Sequence, residues 1–218
     1  MRRTNTTTLA GAALVALGTL SLLQSLGLLG PLAGLLWAGA FAAGGLAFLA
    51  AFLRSPSAWW AAIPGSALLG LAAVTGVGTL APWAAGGWTG GLFLGAIGLG
   101  FCLVYLAHRD SWWAVLPAGV LLTLATVAGL SDIVGEAAGA LFFFGLAATF
   151  GALTRLPEIG GRLRWALVPA GVMLAMGVVV LLTTSQLFSI LLPAALILAG
   201  LAILYRGGMV MRHGGNER

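Results

Sequence analysis

The stretch WWAVLPAGVLLTLATVAGL, residues 112–130, contains no charged residue and no regular alternation of apolar and polar residues. At 1.5 Å per residue, a helix of this length covers most of the roughly 30 Å hydrocarbon core of a bilayer. A strand in a membrane barrel would alternate over about ten residues, and backbone groups in lipid must form hydrogen bonds within their own segment. The stretch therefore predicts a transmembrane helix.

Seven further stretches have the same character, so the sequence predicts eight transmembrane helices. The others cover residues 8–29, 32–53, 59–80, 88–107, 137–154, 165–184 and 187–205. Only 7% of the 218 residues are charged and 61% are hydrophobic, whereas soluble domains carry about 25% charge. This composition excludes a soluble enzyme, a nucleic-acid-binding module and a disordered chain. The predicted fold is an all-α integral membrane protein with one transmembrane domain, 1–218, that ends in a short cytoplasmic tail, 207–218.

The arginines predict the orientation of these helices. All ten basic residues are arginines, and in the eight-helix scheme every one falls on the same side of the membrane. In the loops of the other side, the only charged residues are acidic. Because basic residues stay on the cytoplasmic side, both termini are predicted to be cytoplasmic, in a bacterial inner membrane. The topology-setting residues close the helix pairs: Arg54, Arg109, Arg155 and Arg206.

Tryptophans are predicted to anchor the cytoplasmic ends of the helices. Their amphipathic rings favour the headgroup level of a bilayer. The predicted interface anchors are Trp59, Trp60, Trp112, Trp113 and Trp165.

The sequence also repeats itself. WWAAIP at 59–64 returns as WWAVLP at 112–117 and as RWALVP at 164–169, and ten of eighteen positions are identical between 59–76 and 112–129. The predicted units are about 1–54, 55–109, 110–160 and 161–206, each with two helices, which gives four tandem parallel hairpins. The recurring prolines fall near helix starts, where a missing N–H costs little. A helix-start role is therefore favoured over a hinge.

Small residues at four-residue spacing predict close helix packing. Gly91 and Gly95 form a G-x-x-x-G pattern, as do Gly135 and Gly139. Such patterns let helix backbones approach each other, which favours a tightly packed bundle over a substrate path.

Few polar residues are candidates for chemistry. Asp132 and Glu136 lie four residues apart on the predicted outer side, and Gln186 lies in the last outer turn. The two acids could share a cation or cap a helix start, but a solvated outer loop is the favoured interpretation. No nucleophile–base set and no metal-ligand spacing is found, so no catalytic residue, cofactor or metal is predicted.

Residues 11–54 resemble the LiaI–LiaF-like transmembrane region of bacterial envelope proteins. The resemblance rests on Leu14, Gly18, Leu22-Leu23, the LGLL of 26–29 and Trp37 in an apolar second helix. The stretch 170–206 has the same outline. The resemblance implies a two-helix membrane unit and a role in envelope-stress signalling, with no catalytic residue to carry over. Gln24-Ser25 stands where an acidic–Asn pair is common in that family.

Three hypotheses for function follow. The first is a non-enzymatic accessory or regulatory protein that acts through helix or lipid contacts. Its partners would be membrane lipids, other membrane proteins or a second copy, and not nucleic acid. The alternative is a carrier or channel for a small neutral or apolar solute, which a continuous polar-lined cavity would favour. The third, an intramembrane enzyme acting on lipid, has only Asp132 and Glu136 as candidates.

Overall fold

The computed structural model of the protein describes residues 6–30, 32–156, 164–184 and 196–198. This part of the chain consists of helices and turns without a strand. Most of the eighth predicted helix, 187–205, lies outside it, as do Gln186 and Arg206. The described α-helices are α1 (Thr6–Ser25), α2 (Leu32–Arg54), α3 (Ala62–Leu80), α4 (Trp88–Ala107), α5 (Val115–Val134), α6 (Ala138–Leu153) and α7 (Leu167–Thr184).

Five helical segments in the described chain are long and apolar enough to cross a membrane. They are Leu32–Arg54, Ser57–Leu80, Trp88–Ala107, Trp112–Leu153 and Arg164–Thr184, and the apolar part of α1, Gly11–Ser25, is shorter. The segment Trp112–Leu153 has 42 residues, about 60 Å if it were straight. It instead contains α5 and α6, which fold back on each other.

Consecutive helices from α2 to α7 run antiparallel. Gly91, at the start of α4, lies against Gly129 near the end of α5, and Gly98 further along α4 lies against Leu122. The other neighbouring helices meet in the same alternating sense, through the pairs Gly34–Thr79, Gly45–Leu69, Gly70–Ala96, Gly100–Ser66, Gly119–Thr149, Gly145–Thr123 and Gly177–Phe144. The ends of α2, α4 and α6 therefore lie at the same end of the molecule as the starts of α3, α5 and α7.

The described helices form a row rather than the expected bundle. Among the described helices, each of α3 to α6 packs on the helix before it and the helix after it, α2 and α7 pack on α3 and α6, and α1 makes only slight contact with α2. The positions of the glycines explain this. Gly98 packs on α5 and Gly100 packs on α3, and residues two apart on a helix point about 200° apart. Close contacts on opposite faces of α4 place its neighbours on opposite sides.

The row bends at α5. Leu122 and Gly129 face α4, whereas Gly119 and Thr123 face α6. From the helical repeat, these two pairs of positions point in directions only about 100° apart. Because α4 and α6 approach α5 from the same side, the three helices form a concave surface there.

The three repeated sequences have the same local structure. A short 3-10 turn precedes α3, α5 and α7, at Pro56–Ala61, Trp112–Ala114 and Arg164–Ala166. Pro64, Pro117 and Pro169 are each the third residue of the following α-helix, so they lie in the first turn, where no helical N–H bond is lost. The helix-start interpretation agrees with these positions.

Two predicted helix ends differ from the structure by four residues. The first helix stops at Ser25 instead of residue 29, because Gly27 and Gly30 have positive φ and turn the chain. The fifth continues past residue 130 to Val134 and stops at Gly135, whose φ is 53°. A glycine after the last helical turn accepts a conformation that other residues rarely adopt. Gly135 is therefore a turn residue and not, as its spacing from Gly139 predicted, a helix-packing residue.

Candidate functional site

The predicted tryptophan anchors lie together at one end of the row. Trp59 and Trp60 belong to the 3-10 turn before α3, and Trp112 and Trp113 to the turn before α5. The rings of Trp59 and Trp113 meet edge to face with their centroids 5.9 Å apart. Trp165 occupies the corresponding turn before α7. Trp59 and Trp113 thus form a contact between two successive turns, in addition to lying near helix starts.

The most tightly packed residues lie at this same end. Among the described residues, six side chains have no exposed surface, and each lies in or beside a turn at the tryptophan end: Ala61, Ala62, Val104, Ala114, Leu153 and Ala166. Ala62, Val104 and Ala114 form a cluster across α3, α4 and the turn before α5. Leu153 and Ala166 form a second cluster between α6 and the turn before α7. The alanine that follows the tryptophan is buried in each of the three repeats.

Three of the arginines that were predicted to set the topology share the tryptophan end. Arg54 is the last residue of α2, and Arg109 and Arg155 lie two residues after α4 and α6. All three side chains are exposed. The guanidinium carbon of Arg109 lies 4.8 Å from the centre of the Tyr105 ring, a cation–π contact that orients the charge. Arg206 lies outside the described residues.

An apolar groove occupies the concave surface made by α4, α5 and α6. Its volume is about 620 Å³. It is lined by Cys102, Tyr105 and Leu106 from α4, by Val115, Ala118, Gly119, Leu122, Thr123 and Thr126 from α5, by Leu141, Gly145, Ala148, Thr149 and Ala152 from α6, and by Leu156. We call this surface the α4–α6 groove. The sequence analysis did not identify it.

Small residues create the α4–α6 groove. Ala118 and Gly119 form its floor on α5, and Ala148 and Ala152 form an exposed wall on α6. Short side chains at these positions leave space where leucines would fill it. The groove therefore has two causes, which are the bend of the row at α5 and the small side chains on the helix faces that meet there.

Two of the three threonines in the groove have their hydroxyl groups hydrogen-bonded within their own helices. Thr126 donates to the backbone oxygen of Leu122 at 2.8 Å, and Thr149 donates to that of Gly145 at 2.9 Å. Such bonds satisfy a hydroxyl within its own helix. The groove consequently has an almost wholly apolar surface, and it is not the polar-lined cavity that would have favoured a channel.

The predicted acidic pair lies at the opposite end of the row. Asp132 belongs to the last turn of α5 and Glu136 to the 3-10 turn that follows, and both are exposed. A Cβ added to Gly87 would lie 3.7 Å from Asp132 Oδ2. The carboxylate therefore stands beside the start of α4, where negative charge is favourable. Within the described ranges, no group of three or more His, Cys, Asp or Glu could hold a metal ion.

One polar contact between helices was not predicted. Gln24, in the last turn of α1, accepts a hydrogen bond of 2.5 Å from the indole nitrogen of Trp37 in α2. An indole N–H placed within an apolar helix needs a partner, and Gln24 supplies it across the turn. The sequence offered a signal, since Trp37 is the tryptophan furthest from a predicted helix end.

These features define an all-helical membrane protein whose helices pack in chain order. Compared with known proteins, the chain matches no protein family, no curated protein and no solved structure.

Proposed function

We propose that the protein is a non-enzymatic, multispan protein of a bacterial inner membrane that acts as an accessory or regulatory component. In this proposal both termini are cytoplasmic, four hairpins cross the membrane, and the partners are lipids or other membrane helices. A role in envelope-stress signalling is the specific form that the resemblance of residues 11–54 supports.

The observation that carries the proposal is the open row of helices. A closed bundle hides one face of every helix, but a row leaves both of its broad faces to the surroundings. Large apolar side chains are exposed along it, among them Leu46 on α2, Leu99 on α4 and Val172 on α7. Apolar faces of this size are sites of contact with lipid or with other helices. The row of helices thus exposes a large apolar surface that lipid or other membrane helices can contact.

Only the size of the α4–α6 groove, and not its lining, fits the alternative, a carrier for a small neutral or apolar solute. A cavity of about 620 Å³ has the size of ordinary small-molecule pockets. The groove is open along one side and lined by apolar atoms, which suits a bound apolar group better than a hydrated path. For this reason we favour the accessory role.

A flux measurement tests the carrier hypothesis for a small neutral solute. We expect vesicles that contain the purified protein to shrink and recover at the same rate as protein-free vesicles after an osmotic shock with glycerol, followed by light scattering. A row without a polar passage gives glycerol no path. A protein-dependent rate that saturates with glycerol concentration, and that Ala148→Phe reduces, would contradict the accessory role and support the carrier.

A labelling experiment tests the proposed topology. In a Cys102→Ala background, Asp132→Cys should react with a membrane-impermeant maleimide added to intact spheroplasts, and Asp110→Cys should react only after the membrane is opened. Asp110 lies between α4 and α5 at the tryptophan end, and Asp132 lies at the other end of α5. Reaction of both cysteines from the same side would disprove the alternating arrangement.

A further inference from the structure

We propose that the α4–α6 groove binds one acyl chain of an anionic phospholipid, with the headgroup held by Arg109 and Arg155. The inference rests on the proposed function and deepens it, because it names one specific lipid contact within a surface that otherwise meets lipid nonspecifically.

The length of the groove matches one leaflet of a bilayer. Along α5 it extends from Val115, the first residue of the helix, to Thr126. At 1.5 Å per residue this distance is about 16 Å. Half of the hydrocarbon core is about 15 Å. A chain that enters at the tryptophan end therefore reaches the bilayer midplane where the groove ends.

The lining of the groove suits a hydrocarbon chain. The α6 wall at Ala148 and Ala152 and the α5 floor at Ala118 and Gly119 expose only methyl groups and backbone. The hydroxyls of Thr126 and Thr149 are already bonded to their own helices. An apolar chain loses no hydrogen bond on entering such a site, whereas a sugar or another polar solute would leave its own groups without partners.

Positive charge stands at the open end of the groove. Tyr105 lines the groove and lies under the guanidinium of Arg109. Leu156 also lines it, and Arg155 is the preceding residue. Both arginines are exposed at the tryptophan end, where headgroups would lie. Guanidinium groups bind phosphate with two parallel hydrogen bonds, and basic pockets between membrane helices hold anionic headgroups. This charge complementarity selects an anionic lipid over a neutral one.

Native mass spectrometry of the full-length protein in detergent tests the proposal, with phosphatidylglycerol and phosphatidylcholine of equal chain length as probes. One phosphatidylglycerol should bind saturably, about tenfold more tightly than phosphatidylcholine. Ala148→Phe places a ring in the groove and should reduce binding of both lipids about tenfold. The matched control is Ala175→Phe, because Ala175 is exposed on α7 and does not line the groove.

The headgroup contact has its own variants. Arg109→Gln combined with Arg155→Gln should reduce the preference for phosphatidylglycerol to about twofold or less. Arg54→Gln should keep the preference, because Arg54 is exposed at the same end but belongs to α2. Equal binding of the two lipids to the unaltered protein, or equal loss in Ala148→Phe and Ala175→Phe, overturns the proposal.

A third outcome would show that protein rather than lipid fills the groove. If Ala148→Phe lowers the thermal stability of the lipid-free protein while no lipid binds to the unaltered protein, residues 187–205 or a second copy fill the groove and the proposal is wrong. None of these lipid measurements depends on glycerol flux, so failure of this inference and failure of the accessory role are distinguishable.

Discussion

Gly91→Ala should lower the free energy of unfolding by about 2–3 kcal/mol, the upper part of the range for adding a methyl group to a packed site. A Cβ at this position would lie 2.5 Å from the backbone oxygen of Ala125 and 3.0 Å from the backbone nitrogen of Gly129. Both are backbone atoms, so no side chain can rotate away. The helices α4 and α5 would have to separate, and with them the two halves of the row.

The neighbouring residue supplies the control. Gly90 belongs to the same helix and is exposed, and a Cβ there would meet nothing within 4 Å. Gly90→Ala should be neutral or stabilise the protein by up to about 1 kcal/mol, the helix-propensity difference between the two residues. Reversible unfolding in mixed detergent and SDS micelles, followed by circular dichroism, measures both variants. Equal effects of the two substitutions would show that α4 and α5 are not in close contact.

Gly145→Thr should destabilise the protein by about 2–3 kcal/mol, and adding Thr123→Gly should restore at least about 1 kcal/mol of that loss. The two residues face each other between α5 and α6, and a Cβ at Gly145 would overlap the side chain of Thr123. Exchanging them keeps one threonine and one glycine in the same space. The gain in the double variant comes from this exchange.

A different threonine tests whether the rescue is specific. Thr126 lies on the same helix, is exposed and bonds only to its own backbone. Thr126→Gly should not rescue Gly145→Thr. The same unfolding measurement, applied to the unaltered protein, Gly145→Thr, Thr123→Gly and the double variant, gives the coupling energy between positions 123 and 145. A coupling energy near zero would mean that α5 and α6 do not pack through these residues.

The sequence was sufficient to predict where most of the described helices lie. Charge-free stretches such as 88–107 agree closely with α4, because the cost of placing charge in a bilayer leaves a clear pattern. The prediction was less accurate at helix ends. The fifth helix was predicted to end at residue 130, before Asp132, but a helix can carry a charge in its last exposed turn, and Gly135 is the residue that stops it.

The row and its groove could not be read from the sequence. Glycine spacing identified Gly91 and Gly95 as packing residues, but a spacing pattern does not say which neighbouring helix each glycine meets. Gly98 and Gly100 face different helices, and this difference decides between a row and a bundle. The groove depends further on a bend of the row at α5. Such an angle arises from the contacts of three helices together, which no local pattern contains.

Some side-chain roles also depend on distant parts of the chain. Trp59 and Trp113 were predicted as separate anchors, yet their rings are in contact. Gln24 accepts a hydrogen bond from Trp37 of the next helix, a contact that the sequence did not predict. Gln24 and Trp37 are separated by 13 residues, and Trp59 and Trp113 lie in successive repeat units of the sequence.

Because the described helices from α2 to α7 pack on helices adjacent to them in the chain, the stability of the protein is a sum of contacts between neighbouring helices, as in solenoid proteins. Loss of one link would release a block of helices and leave the remainder intact, so unfolding should proceed in stages. The same arrangement allows the gene to lengthen by duplication of a helical pair at the end of the row. The added pair needs only one helix face that packs on the terminal helix, and it disturbs no existing contact.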